Sequence, residues 1–459
     1  MKLIGKEYEK IYAIVQAIAQ HQGRALLVGG AVRDMIMGHS IKDVDIEVYG
    51  LTEQQLEEIL RQFGPVSLVG KAFGVLRVHG LDVDWSLPRA DSPGRKPTVV
   101  IDPFMSIEAA ARRRDLTMNA MAFDVMTEEL IDPCGGMNDI KNKILRTPDA
   151  RFFIQDPLRF YRVMQFIGRF EMYPDDELNT LCAQMDITQV SRERIEEEFK
   201  KLFLLSQRPS LGIRWLYKIG RLRDVLPELA ATINIQQNPQ WHPEGDVFEH
   251  TMQAIDAAAM IAQKYDHEFN KLVLLYAALC HDLGKATTSV EVNGVIKSIG
   301  HEKDSKILAR TMMKRITHNI DLINAVLSLV LYHMTPLQFT TNKAKLSAYK
   351  RLANKLDHNV NLSLLIDLCI ADKRGRNGAG HEPLTIDFPE VEIFRQKVEQ
   401  AGVATHKIEP ILKGADLFDV AKPGPEMGRL LRLAYEKQID KNITDKKVLK
   451  EYVIKMIKK

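Results

Sequence analysis

Two aspartates, Asp43 and Asp45, flank Val44 at the start of the Val- and Ile-rich run 44–49. Alternate side chains of a strand share a face at a separation of roughly 6.6 Å, so this pair could flank two divalent metal ions. The competing reading is an exposed strand edge with protective charges. Val44, Ile46 and Val48 give the run an apolar face and leave Asp43, Asp45 and Glu47 together on the other. Asp84, in the later run 81–87, is the expected third carboxylate, with Asp82 on the same face as its alternative. Gly29-Gly30 follows the apolar run 25–28, where bare backbone N–H groups, with Arg33 beyond them, suit a phosphate. A tight strand-to-helix turn would explain the glycines alone. Arg112-Arg113-Arg114-Asp115 and Asn119 read as part of one helix over 111–122. Guanidinium groups there suit a triphosphate, and Asp115 and Asn119 suit ribose hydroxyls. As a merely solvated helix start the run is strained, because three arginines oppose the positive N-terminal dipole. Asp156-Pro157 reads as a helix start. Arg159 and Arg162, one turn into that helix, form a basic stripe beside Phe160, Val163 and Phe166.

A second group comprises His250, His281-Asp282, His301, His333 and Asp372. A lone histidine on a helix is usually structural, but imidazoles gathered with carboxylates favour a divalent transition metal.

These residues need elements to hold them. At 459 residues the chain is long enough for about three domains. With 45% hydrophobic and 27% charged residues, its composition excludes collagen-like and largely disordered classes. Runs 25–28, 44–49, 66–69, 75–79 and 81–87 read as strands alternating with helices. Beyond the turn cluster 132–136 nearly every segment has helical spacing, as in 158–170, 192–205 and 211–219. Segments 234–243 and 375–383 have linker composition, placing boundaries near 148, 242 and 380. The most apolar stretch, 322–332, is short of the roughly 18 residues that suggest a membrane span. The N-terminus reads as an amphipathic helix rather than a leader peptide, so a cytoplasmic protein without a membrane partner is expected. Cys134, Cys182, Cys280 and Cys369 are too scattered for a disulfide framework or a CxxC site. Net charge is only +3, but residues 441–459 hold seven lysines against Asp445 and Glu451, which suits either a phosphate backbone or a solvated terminal helix.

Several motifs occur in order: Gly-Gly-x-x-Arg-Asp, the Asp-x-Asp strand, Arg-Arg-Asp-x-Thr-x-Asn-Ala, Asp-Pro-x-Gly-Gly-x-x-Asp (132–139), Asp-x-x-Arg, and Ser-x-Glu-Arg-Ile-x-x-Glu-Phe (191–199). Together they resemble the class II tRNA nucleotidyltransferases, the bacterial CCA-adding enzymes and their poly(A) polymerase relatives. The likeness is close over residues 24–230. Leu412 to Leu417, Pro423-Gly424-Pro425 and Gly428 resemble the family's tail. The resemblance implies an α+β architecture. A polymerase-β-like mixed α/β nucleotidyltransferase head (1–147) is followed by an α-helical neck and body (148–241), an α-helical HD domain (242–380) and an α-helical tRNA-binding tail (381–459). It implies Mg²⁺ at Asp43 and Asp45, triphosphate contacts from Gly29, Gly30 and Arg33, and ribose contacts from Arg114 and Asp115, with Asn119 beside them. Asp156 and Arg159 would face the base and Arg162 the phosphates. The partners implied are CTP, ATP and the tRNA 3′ end. CC-adding, A-adding and poly(A) enzymes share these motifs and stay open as alternatives. The family usually has Glu where this chain has Gln155; if that Glu orients the arginine, a neutral amide does so more weakly.

The set His250, His281-Asp282, His301, His333 and Asp372 resembles the HD-type metal-dependent phosphohydrolases. It implies a metal-dependent activity on 2′,3′-cyclic phosphates and 2′-phosphates. The alternatives are a degenerate HD domain kept as a scaffold, and a mainly hydrolytic enzyme whose head binds RNA.

Overall fold

A computed structural model describes residues 6–41, 43–69, 74–91 and 99–457. The chain forms two compact units, residues 1–202 with 215–221, and residues 203–214 with 222–459.

The first unit is built on β1 (Arg24–Val28), β2 (Val44–Tyr49), β3 (Val66–Val69), β4 (Val75–Val78) and β5 (Val83–Ser86), a ribbon of β6 (Arg89–Asp91) and β7 (Val99–Ile101), then β8 (Ala122–Asp124) and β9 (Leu130–Ile131). The main sheet has the order β3-β4-β5-β2-β1-β8-β9. Alternation decides its two faces. Ile46, Val48, Val83 and Trp85 are buried in a core shared with Ile14 and Ile18 of helix Lys6–Gln20, Val32 of helix Gly30–Ile36 and Leu56 of helix Glu53–Arg61. Asp45, Glu47 and Asp84 are left on the opposite face. The strand begins at Val44, so Asp43 lies just before it and is exposed. β2 and β5 run parallel with Asp45 opposite Asp84, while Asp82 is exposed in the preceding turn.

The expected helix over 111–122 is corrected. Helix Ile107–Arg112 ends there, Thr117–Asn119 is one 3₁₀ turn, and β8 follows. Leu116 is extended, and its N–H donates to the Asp115 carboxylate (2.8 Å), a side-chain bond that replaces a helical one. The arginines therefore stand at the C-terminal end of a helix, where its dipole favours cations; the expected conflict with an N-terminal dipole does not arise.

Helix Leu158–Phe170 carries Arg159 and Arg162. Its buried Phe160 packs on Trp215 (ring centroids 5.5 Å apart) and lies under the Arg221 guanidinium at 5.2 Å. Both partners come from the returning segment 215–221. Trp215 also donates to Asn179 Oδ1 (2.8 Å).

The second unit is mainly helical. Val247–Ala262, Glu268–Cys280, His301–Ile316, Ile320–Tyr332 and Leu362–Arg374 are core helices, burying Ile255, Ala258, Leu274, Ala278, Leu329 and Leu365. Stretch 320–341 is long and apolar enough to cross a membrane by length and composition, and half of it is buried inside the protein. One hairpin, Val290–Val292 with Val295–Lys297, departs from the all-helical expectation; Asn293 and Gly294 both take positive φ at its turn. The stretch after Gly375, expected as a linker, is fastened to helix Val247–Ala262. Gln253 accepts from the Asn377 N–H (3.1 Å) and donates to the Gly378 carbonyl (3.2 Å). In the C-terminal tail, helices Pro425–Lys441 and Lys446–Ile457 bury Leu430, Leu449 and Val453. Lys446 and Lys450 pair there with Asp416 (2.6 Å) and Asp419 (2.7 Å), so part of the basic segment is neutralised internally.

Candidate functional site

Two constellations are present, one in each unit. In the first, a cavity of about 520 Å³ is lined by Gly29, Gly30, Arg33, Asp45, Glu47, Asp84, Arg113, Arg114, Asp115, Asn119, Asp156, Arg159, Arg162 and Arg194. Of the residues expected here, Asp43 and Arg112 are not in the lining. The charge of Asp43 still reaches Asp45. Burial raises the Asp45 pKa, and repulsion from Asp84 and Asp43 adds to it, while Arg114 acts in the opposite sense. A partly buried carboxylate beside two others is an arrangement that a divalent cation relieves, and Asp84 is meanwhile paired with Arg77.

Gly29 holds φ at +71° where β1 turns into helix Gly30–Ile36, a backbone state that favours glycine. The following turn delivers Arg33, buried over the Phe170 ring at 4.8 Å. A polar chain then crosses the cavity wall. Arg33 Nη1 donates to Asn119 Oδ1 (2.8 Å), Asn119 Nδ2 donates to Asp115 Oδ1 (3.0 Å), and Arg162 Nε donates to Asp115 Oδ2 (2.6 Å). Burial alone would raise the Asp115 pKa, but the Arg162 guanidinium and the Asn119 amide hold it down at about 2. Arg114 reaches Glu47 Oε1 (3.4 Å), whose other oxygen accepts from the Tyr49 hydroxyl (2.6 Å).

Asp156 and Arg159 share the cavity without pairing to each other. Asp156 Oδ1 accepts from the Leu158 N–H (3.1 Å), and its carboxylate holds Arg194 at 2.9 Å. The helix starts at Leu158 with Pro157 at its N-cap, so Asp156 is not the cap expected of it; it bonds the first helical N–H from one residue further out and lines the cavity as well. Arg159 donates to the carbonyls of Phe152 (2.9 Å), Arg113 (2.5 Å) and Arg114 (3.4 Å). Gln155 is not among the lining residues. Arg194 was not singled out from the sequence, and Arg113 and Glu47 were read there only as members of the arginine run and the carboxylate face. Arg194 does lie in the motif over 191–199, but its partner is 38 positions away and no spacing rule reveals that pairing.

The second constellation gathers at helix ends. His250 is on helix Val247–Ala262, His281 and Asp282 directly follow Glu268–Cys280, His301 opens the helix His301–Ile316, His333 caps Ile320–Tyr332, and Asp372 lies near the end of Leu362–Arg374. All six are buried. His281, His301 and His333 each direct Nδ1 to the carbonyl three residues back, Ala278, Ser298 and Val330, at 2.7–2.8 Å. A carbonyl only accepts, so these Nδ1 atoms carry the proton and every Nε2 points inward. His250 and His281 approach to 3.2 Å through Nε2, and His301 and His333 to 3.1 Å. Asp282 stands between the pairs, Oδ2 at 3.3 Å from His281 and Oδ1 at 3.2 Å from His301. Asp372 Oδ1 is 3.1 Å from His250. The six form two groups able to hold a metal ion, His250–His281–Asp372 and Asp282–His301–His333, and a third such group, His242–Glu244–His250, lies beside the first. Inward lone pairs at such distances repel unless a cation lies among them, so the donor set fits divalent metal.

Without metal, the groups of the cluster shift one another in opposite directions. Burial would raise Asp282, but His281 and Lys285 (Nζ at 2.6 Å) hold it well below the usual carboxylate range. Burial, with His301 and His281 adding, pushes His333 down to about 3. Burial also opposes a proton on His250, yet Asp372 and Glu244 outweigh it and raise His250 to about 9. Arg376 binds both oxygens of Asp372 (2.8 and 3.0 Å). Lys285, Arg376 and Glu244 had no expected role, although the first two stand in the runs that carry His281 and Asp372.

Gly284 allows this packing. A Cβ there would lie 2.2 Å from the His301 carbonyl and 2.5 Å from the Ser305 nitrogen. Gly284→Ala is expected to cost about 2 kcal/mol of stability in the second unit by overpacking and to displace His301; urea unfolding followed by circular dichroism checks it.

Comparison with known proteins bears on both constellations. Residues 25–146 match the poly A polymerase head domain family, residues 180–233 the family described as "Probable RNA and SrmB- binding site of polymerase A", and residues 247–376 the HD domain family. Among curated proteins, the chain is 32% identical over 398 residues to the multifunctional CCA protein of Mannheimia succiniciproducens, covering 82% of this chain and 88% of that one. It is 32% identical over 400 residues to that of Methylobacillus flagellatus, covering 84% and 93%. Among solved structures, the Bacillus stearothermophilus CCA-adding enzyme in complex with CTP has a TM-score of 0.64 at 20% identity, covering 99% of this chain and 98% of that one. The Thermotoga maritima CCA-adding enzyme complexed with tRNA has 0.63 at 18%, covering 99% and 96%. These two likenesses establish the fold.

Proposed function

The chain belongs to the family of multifunctional CCA proteins, and from that premise we propose that it builds or repairs the 3′-terminal CCA of tRNA from CTP and ATP in the cytoplasm. The observation that carries this reading is the chain Arg33–Asn119–Asp115–Arg162, which shares one cavity with Asp45 and Asp84. Arg33 and Arg162 bind the triphosphate beside Gly29 and Gly30, Arg114 and Asp115 face the ribose with Asn119, and Asp84 supports the two metal-holding carboxylates. Magnesium held by Asp43 and Asp45 would supply charge stabilisation for in-line displacement of pyrophosphate by the tRNA 3′ hydroxyl. Residues 1–147 serve as head, 148–241 as neck and body, 242–380 as HD domain and 381–459 as tRNA-binding tail.

Base choice rests on Asp156 and Arg159. Cytosine and adenine both present an amino donor beside a ring-nitrogen acceptor, which matches a carboxylate and a guanidinium; uracil and guanine present a carbonyl there. Arg159→Ala should therefore raise UTP and GTP incorporation relative to CTP by about tenfold, the worth of one charged hydrogen bond. Competition assays with mixed nucleotides measure the ratio, and an unchanged CTP/UTP ratio rejects the role.

The test of the whole reading uses tRNA transcripts ending before A, CA or CCA, with CTP and ATP supplied separately and together. Completion of all three supports it. Addition that stops at CC, adds only A, or runs into a poly(A) tail assigns the chain to the corresponding narrower activity.

The cluster that shares Asp282 favours a second activity in the same chain, hydrolysis of 2′,3′-cyclic phosphates and 2′-phosphates. Metal held by His250, His281, Asp282, His301, His333 and Asp372 would supply an activated water and a clamp on the phosphate. Lys285 and Arg376 fix the carboxylates that hold it.

A further inference from the structure

Three of the four clustered histidines rest Nδ1 on a backbone carbonyl, whereas His250 rests it on a carboxylate. Glu244 Oε1 is 2.7 Å from His250 Nδ1 and 2.8 Å from His242 Nδ1. Its side chain is fully buried, and its ion-pair partners among the described residues are these two histidines. A buried carboxylate is costly to keep unless it is well paired. Orientation alone does not call for one, since the Gly375 carbonyl already stands 3.2 Å from the same nitrogen. What Glu244 adds is negative charge behind the ring. Charge placed there makes the opposite nitrogen, Nε2, a stronger donor to a metal. Each of the two groups holds one aspartate, Asp372 or Asp282, so Glu244 gives the His250 position one carboxylate more than the position at His301 and His333.

Resting on the reading of the cluster as a two-metal site, we propose that Glu244 is a positioning residue that strengthens His250 as a ligand and makes the His250–His281–Asp372 position the tighter of the two. Glu244→Gln separates charge from geometry, because its amide oxygen still accepts from Nδ1. His242→Ala is the companion variant, since it leaves the carboxylate behind His250 in place.

The experiment titrates the metal-stripped full chain with Co²⁺ by calorimetry and follows the visible absorption of bound cobalt. Wild type should bind in two steps. Glu244→Gln should weaken the tighter step by about 10–100-fold, the usual cost of losing such a partner, and leave the other within about threefold. His242→Ala should leave both within about threefold. Melting of the stripped chains, followed by circular dichroism, should coincide with wild type. Unchanged steps in Glu244→Gln overturn the proposal, as does equal weakening of both steps with a lowered melting point, the signature of a merely structural role. A loss in His242→Ala equal to that in Glu244→Gln overturns it too. A wild-type chain with no cobalt step removes the metal site itself, and the proposal with it.

Discussion

Asp45→Ala should abolish nucleotide addition while tRNA binding persists. Asp45 lies on β2 in register with Asp84 and lines the cavity that also holds Arg33 and Arg162. The several kcal/mol of charge stabilisation that metal supplies at such a site converts to a loss of about 10³-fold or more in rate. Binding depends instead on cations spread over other surfaces and follows salt rather than this carboxylate. Asp43→Ala should act in the same direction, because Asp43 stands just outside the strand but within electrostatic reach of Asp45. Single-turnover addition to a transcript lacking the terminal A, beside filter binding of the same RNA, checks both halves. Near-normal addition by Asp45→Ala would remove the pair from the mechanism.

The second large effect belongs to the other unit. Asp282→Ala should eliminate hydrolysis of 2′,3′-cyclic phosphate, again by about 10³-fold or more, because its two oxygens serve both histidine pairs at once. His281→Ala removes one ligand of one group and should act the same way. CTP and ATP addition to intact tRNA ends should persist in both variants, and the Asp45 variant should show the reverse pattern. Assays need added divalent transition metal, since a stripped site mimics a dead one. If metal-loaded wild type hydrolyses none of these esters, the second unit is a scaffold for RNA rather than an enzyme.

Much of this was legible in the sequence wherever chemistry follows local periodicity. Asp45 and Glu47 share a face because Ile46 and Val48 claim the other, and the same alternation places Asp84 with them; the choice of Asp84 over Asp82 was not legible, because it follows from the strand starting at Val83. Helix 158–170 was legible from the spacing of its apolar residues. The helix expected over 111–122 failed because Asp115 turns its own carboxylate onto the next N–H, a competition that helix-like spacing does not register. The hairpin at Asn293-Gly294 carried a readable signal in its turn residues, but its six strand residues are too few to stand out within a helical region. Arg194 and Glu244 were hidden for a different reason. Each acts through a partner chosen by tertiary packing, and Glu244 directly follows segment 234–243, whose composition reads as a linker.

The return of residues 215–221 to the first unit has a consequence for how the protein is made. The helix that carries Arg159 and Arg162 is packed at Phe160 by Trp215 and Arg221, and Asn179 takes its bond from the same Trp215. A nascent chain that has exposed only its first 202 residues lacks all three contacts, so the helix carrying two of the cavity's arginines is not fully packed during the early part of translation. By then the ribosome has already begun to release residues 203–214, which belong to the other unit. Domains usually fold in turn from the N-terminus; here completion of the first must wait until the second has started to emerge, and a gene fragment cut at codon 202 should yield an aggregation-prone head rather than an autonomous one.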